Sequence, residues 1–135
     1  MTLKEVSDCI KSASEKTNIY AIQFPEGFKN PQISVLKKIE NYENYTVIRL
    51  LFYMEFLGLI LYLNDEEIPD IQKLGQVLSS LRKKMNYSQF EMRVKTGLSP
   101  GRICTIEQGR SYTKKTLEKY ISVLPVDFTV KNINK

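Results

Sequence analysis

The sequence predicts a mainly α-helical protein made of two tandem helical units, each closed by a short β-strand. Three observations carry this expectation: the chain of 135 residues repeats itself, its apolar residues recur at helical spacing, and both halves end in an alternating apolar run. Shifted by 67 residues, Asn44-Tyr45-Thr46 falls on Ser111-Tyr112-Thr113, and Ile39-Glu40-Asn41 falls on Ile106-Glu107-Gln108. In the same register Leu36 meets Ile103, Leu50 meets Leu117, Tyr53 meets Tyr120 and Leu57 meets Leu124. A shift of 68 aligns the N-terminal parts: Val6 with Leu74, Ile10 with Leu78, Lys16 with Lys84, Asn18 with Asn86, Ile22 with Phe90 and Phe24 with Met92. The repeat divides the chain into residues 1–66 and 67–135.

The second half gives the clearer element order. Leu74, Val77, Leu78, Leu81 and Met85 mark an amphipathic helix over Ile71–Met85. Ser88 is an N-cap for a short helix Gln89–Lys95, and Gly97 suits its left-handed end. Ser99 caps a third helix with Pro100 at its first position, running to Gln108 and stopped by Gly109. Thr113 caps a fourth helix through Leu124, Pro125 ends it, and Val126–Val130 alternates as a strand. The first half follows the same order: a helix over Leu3–Glu15, a short segment Tyr20–Phe24 broken by Pro25 and Gly27, and a helix Pro31–Tyr42. A fourth helix Tyr45–Leu57 and a strand Leu59–Leu63 complete it. The fourth helix is apolar nearly all round, which predicts burial on more than one side. Asn64–Asp70 reads as a short acidic linker containing Pro69.

Composition narrows the function classes. A hydrophobic share of 42% suits a folded chain, and a net charge of +5 permits a nucleic-acid partner without demanding one. There is no histidine, and the two cysteines, Cys9 and Cys104, lack CxxC spacing, so a disulfide framework or zinc site is not expected and no cofactor is implied. Thr46–Leu63 approaches bilayer-spanning length, but Arg49, Glu55 and Gly58 interrupt it, so a helix followed by a strand is expected instead of a membrane span. The opening residues do not read as a signal peptide, and a cytoplasmic protein is the default expectation. No nucleophile–base pair, GxGxxG or P-loop is present, so an enzyme is not expected, and Asp65, Glu66 and Glu67 read as a linker charge run.

Charge separates the halves. Residues 1–67 hold seven Lys+Arg and ten Asp+Glu, net −3; residues 68–135 hold thirteen and five, net +8. An acidic unit is repelled by phosphate, so any contact with DNA is expected through the second half.

Leu81-Arg82, Tyr87-Ser88-Gln89, Gly97-Leu98-Ser99, Ile103 and Ile106-Glu107-Gln108-Gly109 follow one pattern. It has an Arg ending helix one, Ser-Gln opening helix two, Gly-apolar-Ser at the turn, and apolar-Glu-x-Gly ending helix three. In this the second half resembles the XRE family, the Cro and lambda-repressor type of helix-turn-helix. The strand after helix four resembles HipB-type antitoxins, in which two subunits pair those strands. The resemblance implies two tandem lambda-repressor-like helix-turn-helix units. With both strands in one chain, they can pair internally as a monomeric pseudo-dimer, or the chain can form a homodimer.

The resemblance further implies double-stranded DNA as partner and a transcriptional regulator, either a repressor or an autoregulating antitoxin with a toxin protein as second partner. Helix three then lies in the major groove. Ser88 and Gln89 face a phosphate at a helix N-terminus, while Ser99, Pro100, Gly101, Arg102 and Thr105 face the duplex. Arg110, Lys114 and Lys115 clamp the backbone. Each residue has a plainer role beside this one. Ser88, Ser99 and Thr113 cap helices regardless of DNA, Gln89 can simply be solvated, and Arg110, Lys114 and Lys115 can form an ordinary charged face. Glu107 in this family holds the turn together. Arg93 stands where the family has a small residue, Pro100 and Gly101 offer no base-reading side chain, and in the first half Pro25 and Asn30 replace the small residue and the turn glycine. These departures support the alternative, a protein–protein module that keeps the fold without binding DNA.

Overall fold

The computed structural model describes residues 1–17 and 36–132. The chain is mainly helical, with one three-stranded antiparallel sheet. Helix α1 (Leu3–Thr17) starts at Thr2, whose Oγ1 accepts from the Glu5 N–H at 3.2 Å while Glu5 Oε1 accepts from the Thr2 N–H at 3.1 Å. Residues 36–40 form the described part of helix α2. Helix α3 (Val47–Phe56) leads into strand β1 (Leu59–Leu63) and strand β2 (Glu66–Ile68). Helices α4 (Ile71–Lys84), α5 (Gln89–Thr96), α6 (Pro100–Glu107) and α7 (Lys114–Ile121) follow, and strand β3 (Phe128–Asn132) closes the order. The segment expected at Tyr20–Phe24, the expected start of a helix at Pro31, and the positions Pro25 and Asn30 lie outside the described residues.

The sheet order is β2-β1-β3, so the strands ending the two halves pair directly. Leu59 stands opposite Asn132, Leu61 opposite Val130 and Leu63 opposite Phe128. β3 begins two residues later than the alternation of Val126–Val130 predicts. Just before it, the Asn64 N–H donates to the Asp127 carbonyl at 2.9 Å and the Asn64 Oδ1 accepts from the Asp127 N–H at 2.8 Å. These bonds tie Asp127 to the end of β1. The expected linker Asn64–Asp70 is instead a hairpin. Asn64 and Asp65 both take positive φ (47° and 71°), forming a two-residue loop, and Leu63 pairs with Glu66. With Glu66 and Glu67 exposed, β2 carries no alternating apolar signal and pairs through its backbone.

α7 ends at Ile121, three residues before the expected Leu124, and α3 is shorter than Tyr45–Leu57 at both ends. Thr113 has N-cap backbone geometry for α7 but its side chain caps nothing, and Thr46 does the same for α3. Their backbones form an isolated antiparallel bridge with each other. Around it, the Val47 N–H donates to the Tyr112 carbonyl at 2.9 Å and the Lys114 N–H donates to the Tyr45 carbonyl at 2.7 Å. α3 is not buried all round: Val47, Leu50, Tyr53 and Met54 face inward, while Ile48 and Phe52 are 42% and 43% exposed.

Buried residues from both halves join in one apolar cluster. Repeat-related positions are buried in pairs: Val6 and Leu74, Ile10 and Leu78, Leu36 and Ile103, Tyr53 and Tyr120. Gly75 lets α4 lie against the end of α6, because a Cβ there would stand 2.6 Å from the Ile106 carbonyl oxygen and 2.8 Å from that of Glu107.

Candidate nucleic-acid interface

The second half presents three short helices joined by tight turns, and local chemistry sets each boundary. At α5, Ser88 Oγ accepts from the Glu91 N–H at 3.1 Å and Glu91 Oε1 accepts from the Ser88 N–H at 3.3 Å, a complete capping box. Gly97 ends α5 at φ 76°, a left-handed conformation that a Cβ would strain. Ser99 Oγ then accepts from the Arg102 N–H at 3.3 Å, and Pro100 opens α6. Met92 fills the core beneath α5, and the bulky Arg93 is exposed. Its charge therefore needs no accommodation inside.

A buried ion pair fixes α4, α5, α6 and α7 to one another. Arg82 Nε donates to Glu107 Oε2 at 2.8 Å and Arg82 Nη2 to Glu107 Oε1 at 3.0 Å, with both side chains 8% exposed. Arg82 Nη1 reaches the Tyr87 carbonyl at 2.8 Å, Tyr120 donates to Glu107 Oε2 at 2.7 Å, and Gln89 Nε2 to Oε1 at 3.2 Å. Burial pushes the Glu107 carboxyl up, but the bonds from Arg82, Tyr120 and Gln89 outweigh it and hold the group below the usual carboxylate range. In the first half, the Ser14 hydroxyl donates to Glu40, at the positions matching Arg82 and Glu107.

The expected site residues divide into groups. Ser88, Gln89, Ser99, Pro100, Gly101, Arg102, Arg110 and Lys115 are all exposed. Ser99, Arg102 and Lys115 come together in a cleft of about 530 Å³ between the start of α6 and α7, also lined by Thr113, Thr116, Lys119 and Asn44. Arg102 Nη1 donates to Thr116 Oγ1 at 3.1 Å across it, leaving the other guanidinium donors for a ligand. Ser88, Gln89 and Arg110 do not line this cleft. Thr105 is half-buried and its hydroxyl donates to the Gly101 carbonyl at 2.8 Å, so it is already engaged within α6.

Lys114 corrects the expectation of a solvated backbone clamp. It is buried, its Nζ donates to the Tyr42 carbonyl at 2.9 Å and sits 3.7 Å from the Tyr42 ring centroid, and Glu118 lies 3.6 Å away. The residue joins the two halves. Its neighbour Lys115 points out, with its backbone N–H capped by Asn44 Oδ1 at 3.2 Å.

Sequence reasoning passed over Lys119 and Thr116. The spacing of Lys115 and Lys119 at i and i+4 on one helix was the available signal. Asn44 comes from the other half, and no local pattern points to it. Among the described residues no helix is long and apolar enough to cross a membrane. Comparisons with protein-family models, curated proteins and solved structures return no match to this chain.

Proposed function

We propose that the chain is a double-stranded-DNA-binding transcriptional regulator, a repressor or autoregulating antitoxin, that meets DNA mainly through residues 67–135. The observation that carries this reading is the cleft where Arg102, Lys115 and Lys119 converge with the hydroxyls of Ser99, Thr113 and Thr116. Converging cations and hydroxyls suit phosphate oxygens. The exposed starts of α5 and α6, joined by the Gly97 turn, match the XRE pattern of the sequence, and we read α5 and α6 as the turn-linked helices of that family. In this reading residues 1–66 form a degenerate scaffold unit, α6 approaches the major groove, and the chain is a cytoplasmic non-enzyme. Base readout is sparse, because Thr105 is engaged and Pro100 and Gly101 have no polar side chain; Arg102 and duplex shape carry it.

The test is fluorescence anisotropy with duplexes from DNA flanking the chain's own coding sequence, across a salt series. Arg102, Arg110, Lys115 and Lys119 give an expected log–log salt slope of about −3 to −4. Lys115→Glu with Lys119→Glu should cut affinity at least tenfold and flatten the slope by about two. Binding that ignores salt, or that survives the double reversal unchanged, overturns the reading.

One observation favours a protein–protein module instead. Phe90 and Val94, at i and i+4 on α5, are 66% and 69% exposed. A stoichiometric partner that co-purifies with the chain and is lost on Phe90→Ser with Val94→Ser supports that alternative.

A further inference from the structure

The two halves meet at self-equivalent points. Thr46 pairs with Thr113, and Tyr62 pairs with Thr129; each pair is separated by 67 residues, the repeat shift itself. The bonds beside the first pair are reciprocal, Val47 N–H to Tyr112 and Lys114 N–H to Tyr45, and the same shift turns one bond into the other. This is the contact pattern of a twofold axis, here contained in a single chain. Such an axis sets the symmetry of a bound duplex only if the faces it relates are alike, and here they are not. Arg110 corresponds to Glu43, Lys115 to Ile48 and Lys119 to Phe52, while Thr105 corresponds to Lys38. The cations Arg110, Lys115 and Lys119 of the second half thus have a carboxylate and two apolar side chains as their counterparts in the first. Identical heads in a homodimer read inverted repeats; these unlike heads gain nothing from one.

We propose that one chain occupies one duplex site without inverted symmetry, with its phosphate contacts concentrated on the side of the second half. The proposal rests on the DNA-binding reading above. Internal pairing of β1 with β3 and of Thr46 with Thr113 fills the contacts that a second subunit would otherwise supply, so the complex holds one chain per site. The experiment is selection from a random duplex pool with the full chain, followed by native mass measurement of the complex on the selected duplex. The expected results are an enriched motif lacking inverted symmetry and a complex of one chain per duplex. An inverted-repeat motif, or two chains on one duplex, overturns the proposal and leaves DNA binding standing. A pool that fails to enrich, with no salt-dependent binding to any duplex, overturns the DNA-binding reading and the proposal together. On the selected duplex, Arg110→Glu should weaken binding at least tenfold and Glu43→Arg less than threefold; equal and opposite effects of the two would show that both sides clamp phosphate alike and overturn the asymmetry.

Discussion

Lys114 and Tyr42 lock the two halves together: the lysine Nζ donates to the Tyr42 carbonyl at 2.9 Å and lies 3.7 Å from the centre of its ring. Tyr42 is at φ 55°, in the left-handed region, and its repeat counterpart Gly109 is at φ 74°. The tyrosine therefore keeps the turn geometry of a glycine while supplying the carbonyl and ring that hold the lysine. Its hydroxyl donates to Glu118 Oε2 at 2.8 Å, so one residue contacts α7 at three points.

Lys114→Met keeps most of the side-chain volume but removes the ammonium, leaving the Tyr42 carbonyl without its charged donor. The expected loss is about 2 kcal/mol, the scale of a hydrogen bond to a charged group. Lys115→Met, one residue on but solvent-facing, should stay within about 0.5 kcal/mol. Urea unfolding of both variants checks the contrast; equal effects would mean that Lys114 does not join the halves.

Glu107→Gln leaves Arg82 buried with its charge unmatched. Loss of one partner of a buried pair predicts destabilisation of about 3 kcal/mol. The pH dependence follows from the depressed carboxyl. Because the folded-state pKa lies below the unfolded-state value, the stabilisation is complete above the usual carboxylate range and falls away as pH drops from there through the folded-state value. Wild-type chain should lose stability over that acid window, and the Gln variant should show a flatter profile in urea titrations run at several pH values.

The second half was legible because its boundaries are chemical. Ser88, Gly97, Ser99 with Pro100, and Gly109 each impose a local geometry that few other residues favour, and all four stand where the sequence places them. The hairpin was hidden because Glu66 and Glu67 disguise a strand that pairs only through its backbone. The burial of Lys114 was also hidden, since its partner Tyr42 is 72 residues away and charge alone suggests solvent. The cleft was half legible: Arg102 and Lys115 stand out as cations, but their convergence with Lys119 and Asn44 depends on how α7 meets the first half.

Two glycines should respond oppositely to alanine. At Gly75 a Cβ meets backbone oxygens at 2.6 and 2.8 Å, neither of which can swing aside, so α4 and α6 must separate. The expected loss is about 1–3 kcal/mol. At Gly101 no atom of the described residues lies within 4 Å of an added Cβ, and the residue lies in α6. Alanine there should stabilise by about 0.5–1 kcal/mol through helix propensity alone. Thermal unfolding of both variants gives the signs directly, and a stabilised Gly75→Ala would contradict the crossing geometry.

Tyr112 and Tyr120 pose the corresponding question for hydroxyls. Both rings are buried, but the Tyr120 hydroxyl donates to Glu107 at 2.7 Å whereas the Tyr112 hydroxyl has no partner among the described residues. A buried hydroxyl without a partner carries a desolvation penalty of about 1–3 kcal/mol. Tyr112→Phe should therefore be neutral or stabilising by about 1 kcal/mol, and Tyr120→Phe should destabilise by a similar amount because Glu107 loses a donor. At Tyr45, the repeat counterpart of Tyr112, burial pushes the phenol up from 10.0 to about 12, and a hydrogen bond with Ser7 only partly offsets it. For a phenol whose folded-state value is raised, stability is complete below the unfolded-state value and declines as pH climbs between 10.0 and about 12. Tyr112 and Tyr120 are shifted in the same direction, the first by burial and the second by burial together with Glu107. The wild-type chain should thus unfold progressively above pH 10.0, and Tyr45→Phe should shrink that alkaline loss without altering the acid limb set by Glu107. Far-ultraviolet circular dichroism from neutral to alkaline pH measures the first, and the same titration toward acid measures the second; an unchanged alkaline limb in Tyr45→Phe would place this ring in contact with water.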